Sequence, residues 1–195
     1  MTEVLLFVED RAHQVFLKAL IKRMLHDMER VDEPDIRDRS VRRGHPAVIR
    51  ELKIFLRDLL NSRVALPGLV VVATDANCQG LADRSREISA ITGRLSLNIV
   101  HAIPDPHIER WLMLDSAAFK QVLGRGCQAP DQKCERGRYK KLLRDAVSAA
   151  GIEADFGGIE YTEDIVVAMD LDRVAQQDIS FARLMRDLRT ALQQL

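Results

Sequence analysis

The sequence lacks what several broad classes of protein require. No apolar stretch approaches the roughly 20 residues that cross a bilayer. The run nearest the start, Val4 to Val8, is short and follows the acidic Glu3, so neither a membrane span nor a secretory signal is expected. Cysteine is scarce: Cys78, Cys127 and Cys134 make an odd number with no close pair spacing. That predicts reduced thiols and a cytoplasmic setting, and gives no zinc pattern. Aromatic residues are only 5%, so the core must be built from Leu, Val, Ile and Ala. Charge of one sign is not in excess, because Lys plus Arg and Asp plus Glu are both 29. The whole molecule therefore exerts no general pull on nucleic acid, although a local basic patch remains open. There is no Gly-rich phosphate loop, no internal repeat and no low-complexity segment.

What is present is enough apolar residue, 47%, for an ordinary core in a chain of 195 residues. One domain is expected over 1–195, with a sheet core in 1–116 and a helical extension in 117–195. Val4 to Val8 is continuous rather than alternating, as a strand buried on both faces requires. It stops at Glu9 and Asp10. A helix is expected from about Ala12 to Met28, with apolar residues at three- and four-residue spacing. The segment 36–43 has at best a poor strand pattern. A second helix is expected over 47–61. Leu69 to Ala73 reads as another buried strand, followed by Thr74 and Asp75. A helix over 81–92 ends at Gly93. A more alternating strand over 96–103 suits a place nearer the sheet edge. Beyond Pro104-Asp105-Pro106, a short helix holds Glu109. After residue 117 the pattern is a polar loop over 124–138 and then helices. This alternation predicts an α/β fold with a doubly wound, mainly parallel, Rossmann-like sheet and a helical C-terminal section.

Three strand ends thus deliver acid: Glu9, Asp75, and Asp105 followed by Glu109. In such a sheet these ends share one edge, where ligands bind. Carboxylates gathered there repel one another unless a cation neutralises them. Mg²⁺ takes oxygen ligands and usually only one or two carboxylates. Asp75 and Asn77 offer two oxygens from one loop. The plainer alternative is that such acids cap the helices that follow. His13, His45, His101 and His107 could assist a metal; His13, one turn past Glu9, is best placed to bind a transition ion or act as a base. Trp111, beside Leu112 and Leu114, suits the core. Two basic groups could contact phosphates: Arg37, Arg39, Arg42, Arg43 and His45, and then Lys133, Arg136, Arg138, Lys140, Lys141 and Arg144.

A strand ending in Glu, then a helix, then a later strand ending in Asp-x-Asp is the pattern of the toprim domain, which this chain resembles. Toprim domains occur in topoisomerases, primases, OLD-family nucleases and small RNA-processing nucleases. The nearer likeness is to small bacterial toprim-like proteins found beside restriction and anti-phage loci. Those carry Glu-Gly-x-Thr-Glu after the first strand, a Pro-x-x-Glu-x-Trp-Leu-Leu-x-Asp segment, and a late Ser-Phe. Here Pro106 to Asp115 reads PHIERWLMLD, and Ser180-Phe181 stands near the end. The resemblance implies Mg²⁺ or Mn²⁺ held by Glu9, Asp75, Asn77 and Glu109, with Glu9 and Glu109 catalytic. It implies nucleic acid, DNA or RNA, as substrate, and a role in anti-phage defence with a protein partner from the same locus; for a nuclease, the two basic groups, with Arg42, Arg43, Lys140 and Lys141, are where the nucleic-acid backbone is expected to lie. The chain departs from that pattern at Asp10, His13 and Asn77, which removes negative charge and implies a weakened or retired site. Two other functions stay open: a nucleic-acid- or partner-binding module without chemistry, and a small-molecule phosphotransfer enzyme.

Overall fold

A computed structural model describes residues 2–30, 32–40, 44–61, 63–93 and 97–195. Its centre is the apolar run at the start. Strand β1 (Glu3–Val8) and strand β3 (Leu69–Ala73) lie side by side in parallel, and Leu6 and Phe7 of β1 are as fully buried as all of β3. Burial on both faces is why neither strand alternates. Strand β2 (Asp35–Ser40) pairs with the far side of β1, and strand β4 (Ile99–Ala102) with the far side of β3. The sheet is parallel throughout, in the order β2-β1-β3-β4. The two weak patterns are thus the two edges. β2, reading DIRDRS, is mostly charged because an edge strand has one flank in water.

Helices cover both faces, so the fold is doubly wound. On one face α2 (His45–Leu60) and α3 (Leu81–Thr92) bury Val48, Leu52, Phe55, Leu56 and Ile88 against Leu5, Phe7, Val70 and Val72. On the other face α1 (Arg11–Asp27) lies against Val4, Leu6 and Val8. That second face also takes the C-terminal helices: α4 (Ile108–Leu112), α5 (Ser116–Leu123), α6 (Arg138–Ala149), α7 (Thr162–Ala168), α8 (Leu171–Gln177) and α9 (Ile179–Gln193). The C-terminal section is therefore part of the same core as β1, β3 and α1. Helix α8 has no counterpart in the sequence pattern, because seven residues hold too few turns to show a period.

Trp111 explains how that section is fastened. Its ring is fully buried, stacked edge-on against Phe181 at 5.3 Å and tilted against Phe16 at 5.5 Å. Its indole N–H donates to Asp178 Oδ1 and Ser180 Oγ, both at 3.2 Å. Asp178 also caps α9 by accepting from Phe181 N, and it pairs with the buried Arg110 guanidinium. The Ser180 hydroxyl in turn accepts from Asp105 N at 3.2 Å. The two segments that carry the sequence resemblance thus hold each other.

Removing one member of a buried ion pair strands the other and costs about 3–5 kcal/mol. Asp178→Ala should lower the stability in urea by about that amount, because it also removes a helix cap and the indole acceptor. Asp170→Ala, at the half-exposed cap of α8, should cost about 1 kcal/mol. Equal losses in the two variants would refute the buried-pair account.

Candidate functional site at the carboxyl edge of the sheet

Strand order reverses between β1 and β3, so the connections on either side leave in opposite directions. In doubly wound sheets ligands bind outside the carboxyl ends of the strands at that point. Glu9 follows β1 and Asp75 follows β3. Glu9 N donates to Ala73 O at 3.2 Å, and Thr74 N to Ala102 O at 3.1 Å, so the ladder continues one step past the strands and fixes both acids. Glu9 Oε2 accepts from the Thr74 hydroxyl at 2.5 Å and from Asp75 N at 3.1 Å. Thr74 Oγ1 is also 3.0 Å from His45 Nδ1, whose Nε2 stands 2.8 Å from Glu87. Burial, helped by Arg84, pushes the His45 imidazole down from its ordinary value. The glycine before it lies against the site: a Cβ on Gly44 would stand 3.7 Å from Glu9 Oε1.

Asp75 is almost fully buried and has partners on both oxygens. Oδ2 lies 2.8 Å from His107 Nδ1, and Oδ1 accepts from Ile108 N at 3.0 Å. His13 Nε2 stands 3.2 Å from Oδ1, in ion-pair range but without the angle of a hydrogen bond. The other nitrogen, His13 Nδ1, is 2.8 Å from Asp10 Oδ1, and Asp10 caps α1 by accepting from His13 N. Burial opposes the charge on Asp75, yet His13 and His107 outweigh it and hold the carboxyl below its usual range. Burial likewise opposes charge on His13, but Asp75 and Asp10 hold that imidazole well above its usual value. His107 is raised for the same reason, with Asp75 overcoming its burial.

Glu109 enters from the first turn of α4 and is 1% exposed. Neither carboxylate oxygen has a hydrogen-bond partner. The nearest cation is Lys140 of α6, 3.8 Å from Oε1 and 3.7 Å from Asp10 Oδ2. Burial first, then the Asp75 charge, pushes the Glu109 carboxyl up.

Of the sequence-predicted residues, Glu9, Asp75 and Glu109 therefore arrive at one edge. Asn77 does not join them. Its backbone is left-handed, at φ 51°, and its amide turns back to donate to Asp75 O at 3.3 Å. Asp105 also leaves the group: it lines a separate cleft with Gln132, Gln177 and Ser180. Arg42 and Arg43 lie outside the described residues. Lys140, expected on a phosphate surface, reaches into the carboxylates, whereas Lys141 is exposed. Much of the remaining basic charge is paired locally, Arg138 and Lys133 with Asp131 and Arg37 with Asp35. The sequence reasoning missed the His45–Thr74–Glu9 chain, which joins residues far apart in sequence. It also missed the Asp10–His13 pair, although an Asp just before a helix is a recognisable cap.

The expectation of three reduced thiols is corrected. Cys78, in the loop after Asp75, forms a disulfide with Cys134, with the Cα atoms 5.4 Å apart. A separation of 56 residues hides such a pair from any spacing rule. The bond ties the Asp75 loop to the segment that leads into α6 and Lys140. It also removes the cysteine argument for a cytoplasmic setting. Cys127 stays free, its thiol pushed up to about 11 by burial. Among the described residues no helix is long and apolar enough to cross a membrane.

Two clefts, of about 480 and 520 Å³, lie elsewhere, beside Leu195 and between α1 and α7. Among the described residues no three His, Cys, Asp or Glu side chains surround one point as a metal cage would. Mg²⁺ does not need such a cage, since one or two carboxylates and several waters suffice. Glu109, buried with two open oxygens beside Asp75, fits a site of that kind.

Glu109 also sets a pH test on the protein without added metal. In the unfolded chain its carboxyl ionises near its ordinary value of 4.5, and in the folded chain only at higher pH. The folded state therefore loses stability as pH rises through that window and does not regain it above. Glu109→Gln should be more stable than the wild type at pH 7, with the difference vanishing below about pH 4. Chelated samples unfolded in urea across that range check this; an advantage that persists at low pH would refute the charge as its cause.

No curated protein and no solved structure matches the chain. One family model does, over residues 8–189, from the end of β1 to late in α9. On that match the chain belongs to the DUF4276 family, a domain of unknown function.

Proposed function

We propose that this chain is a toprim-like protein that cleaves phosphodiester bonds in nucleic acid with the help of one divalent cation, Mg²⁺ or Mn²⁺, in a role such as anti-phage defence. The observation that carries the reading is Glu109: a buried carboxylate with both oxygens open, set beside Asp75 at the switch point of the sheet. A buried carboxylate met only by Lys140 at 3.8 Å is costly, and a second cation is a natural partner for it.

Asp75 and Glu109 would hold the ion, with Glu9 next to them. A bound ion supplies charge neutralisation at a phosphate and an activated water. Glu9 is fixed through Oε2 by Thr74 and Asp75 N, which leaves Oε1 toward Gly44 to accept a proton. Lys140 is placed to meet a phosphate oxygen at the rim, because it is more than half exposed while reaching Asp10 and Glu109. The clefts of about 480, 430 and 520 Å³ are lined by none of these groups, which suits a polymer laid across an open edge better than an enclosed small molecule.

One set of contacts favours the second reading, a nucleic-acid- or partner-binding module without chemistry. His13, His107 and Lys140 already set positive charge against the carboxylates, and Asn77 is turned away. Calorimetric titration with Mg²⁺ or Mn²⁺ should show binding to the wild type that Asp75→Ala abolishes. Metal-dependent cleavage of single- or double-stranded DNA or RNA should fall about 100-fold or more in Glu9→Gln. Metal binding without cleavage selects the binding module, and no metal binding removes the first reading. In filter binding, Lys140→Ala should weaken binding at low salt and lower the salt slope by about 1.

A further inference from the structure

Several helices carry exposed cations that are neutralised beside them. Arg86 of α3 pairs with Asp83 at 2.9 Å, Arg186 of α9 with Asp187 at 2.8 Å, and Arg144 of α6 with Asp145 at 3.9 Å. Helix α2 differs. Pro46, Arg50, Lys53 and Arg57 recur after four, three and four residues, so they share one face, and all are exposed. Among the described residues Arg50 and Lys53 form no ion pair, and Arg57 has only its neighbour Asp58, at 3.6 Å. A cleft of about 430 Å³ lies along this face, lined also by Ile49 and Ile54.

We infer that this face of α2 is a docking surface for the phosphate backbone of double-stranded nucleic acid. This rests on nucleic acid as the partner, the reading above, and needs no bound cation. The stripe starts beside the candidate site. His45, the first residue of α2, stands 3.0 Å from Thr74 Oγ1, and a Cβ on Gly44 would stand 3.7 Å from Glu9 Oε1. At about 1.5 Å per residue, Arg50 lies about 7 Å along the helix axis from His45, and Arg57 about 10 Å beyond Arg50. A duplex carries one negative charge per about 1.7 Å of its axis, so a backbone that crosses the edge at Glu9 and continues along α2 offers each of the three cations a phosphate. No aromatic ring lines the cleft, so unpaired bases have no platform to stack on, and the face suits a duplex better than a single strand. Between the cations no apolar side chain projects, since Ile49 is buried and Ile54 half-buried, which is unlike a helix that seats itself in a lipid surface. Contacts to phosphates alone carry no base information, so binding here is independent of sequence.

The test is filter binding of the full-length protein with chelator present, using DNA and RNA duplexes over a range of salt concentrations. The wild type should bind a duplex, with log affinity falling linearly against log salt. Arg50→Ala/Lys53→Ala should lower that slope by about 2, equally for duplexes of unrelated sequence. Arg86→Ala/Arg186→Ala removes the same charge from paired positions on other helices and should leave the slope unchanged. Lys53→Ala alone, expected to lower the slope by about 1, decides the point if the double variant fails to fold. A wild-type slope in the Arg50/Lys53 variant, an equal loss in both double variants, or binding to single strands only overturns the α2 surface and leaves nucleic acid as the partner. If the wild type binds no nucleic acid, or binds only phosphatidylserine vesicles, the nucleic-acid reading is lost together with this inference.

Discussion

The chain is arranged around the placement of one buried carboxylate. Asp75 ends the most buried strand, and it is reached by α1 through His13, by the turn after β4 through His107, and by α4 through Ile108 N. A carboxylate in that position costs several kcal/mol unless its charge is met on every side. The surrounding elements therefore have to bring cations and backbone donors to it. That requirement explains why two histidines, separated in sequence, converge on a single side chain. Glu109, the next acid, is left with a raised carboxyl by its burial and by the Asp75 charge, with only Lys140 in ion-pair range to offset them.

The turn that delivers His107 and Glu109 is held from below. Asp105 N reaches Ser180 Oγ, Ser180 reaches Trp111, and Trp111 stacks on Phe16 of α1 and Phe181 of α9. A displacement of α9 would therefore be felt at His107. Rigid support of this sort is what a site needs to hold charged groups in place, and it gives the C-terminal helices a role beyond covering the sheet. The link from Cys78 to Cys134 does the same on the outer side, joining the Asp75 loop to the approach of α6.

Much of this was readable in the sequence, and the failures have physical causes. β1, β3, α1, α2 and α3 carry long or dense apolar patterns, so their positions emerged within a few residues. β2 was nearly invisible because an edge strand does not need an apolar pattern on its open flank. Glu9, Asp75 and Glu109 could be gathered by topology alone, since parallel strands with helical crossovers end on one edge. What topology does not give is the direction of a side chain. Asn77 follows Asp75 by two residues, yet a left-handed backbone turns its amide away from the carboxylates. The disulfide and the His45–Thr74–Glu9 chain depend on contacts across 29 to 65 residues, for which no local pattern exists.

Asp10 and His13 show how a one-residue-at-a-time reading goes astray. Taken singly, each departs from the toprim-like pattern, and each reads as damage to an acidic site. In the fold they form one unit: Asp10 caps α1, binds the His13 ring through Nδ1, and leaves Nε2 facing Asp75. A histidine alone at that depth would be driven neutral by burial, and an Asp alone beside Glu9 would add repulsion. Together they place an oriented imidazole against a carboxylate, with the charge of each supporting the other.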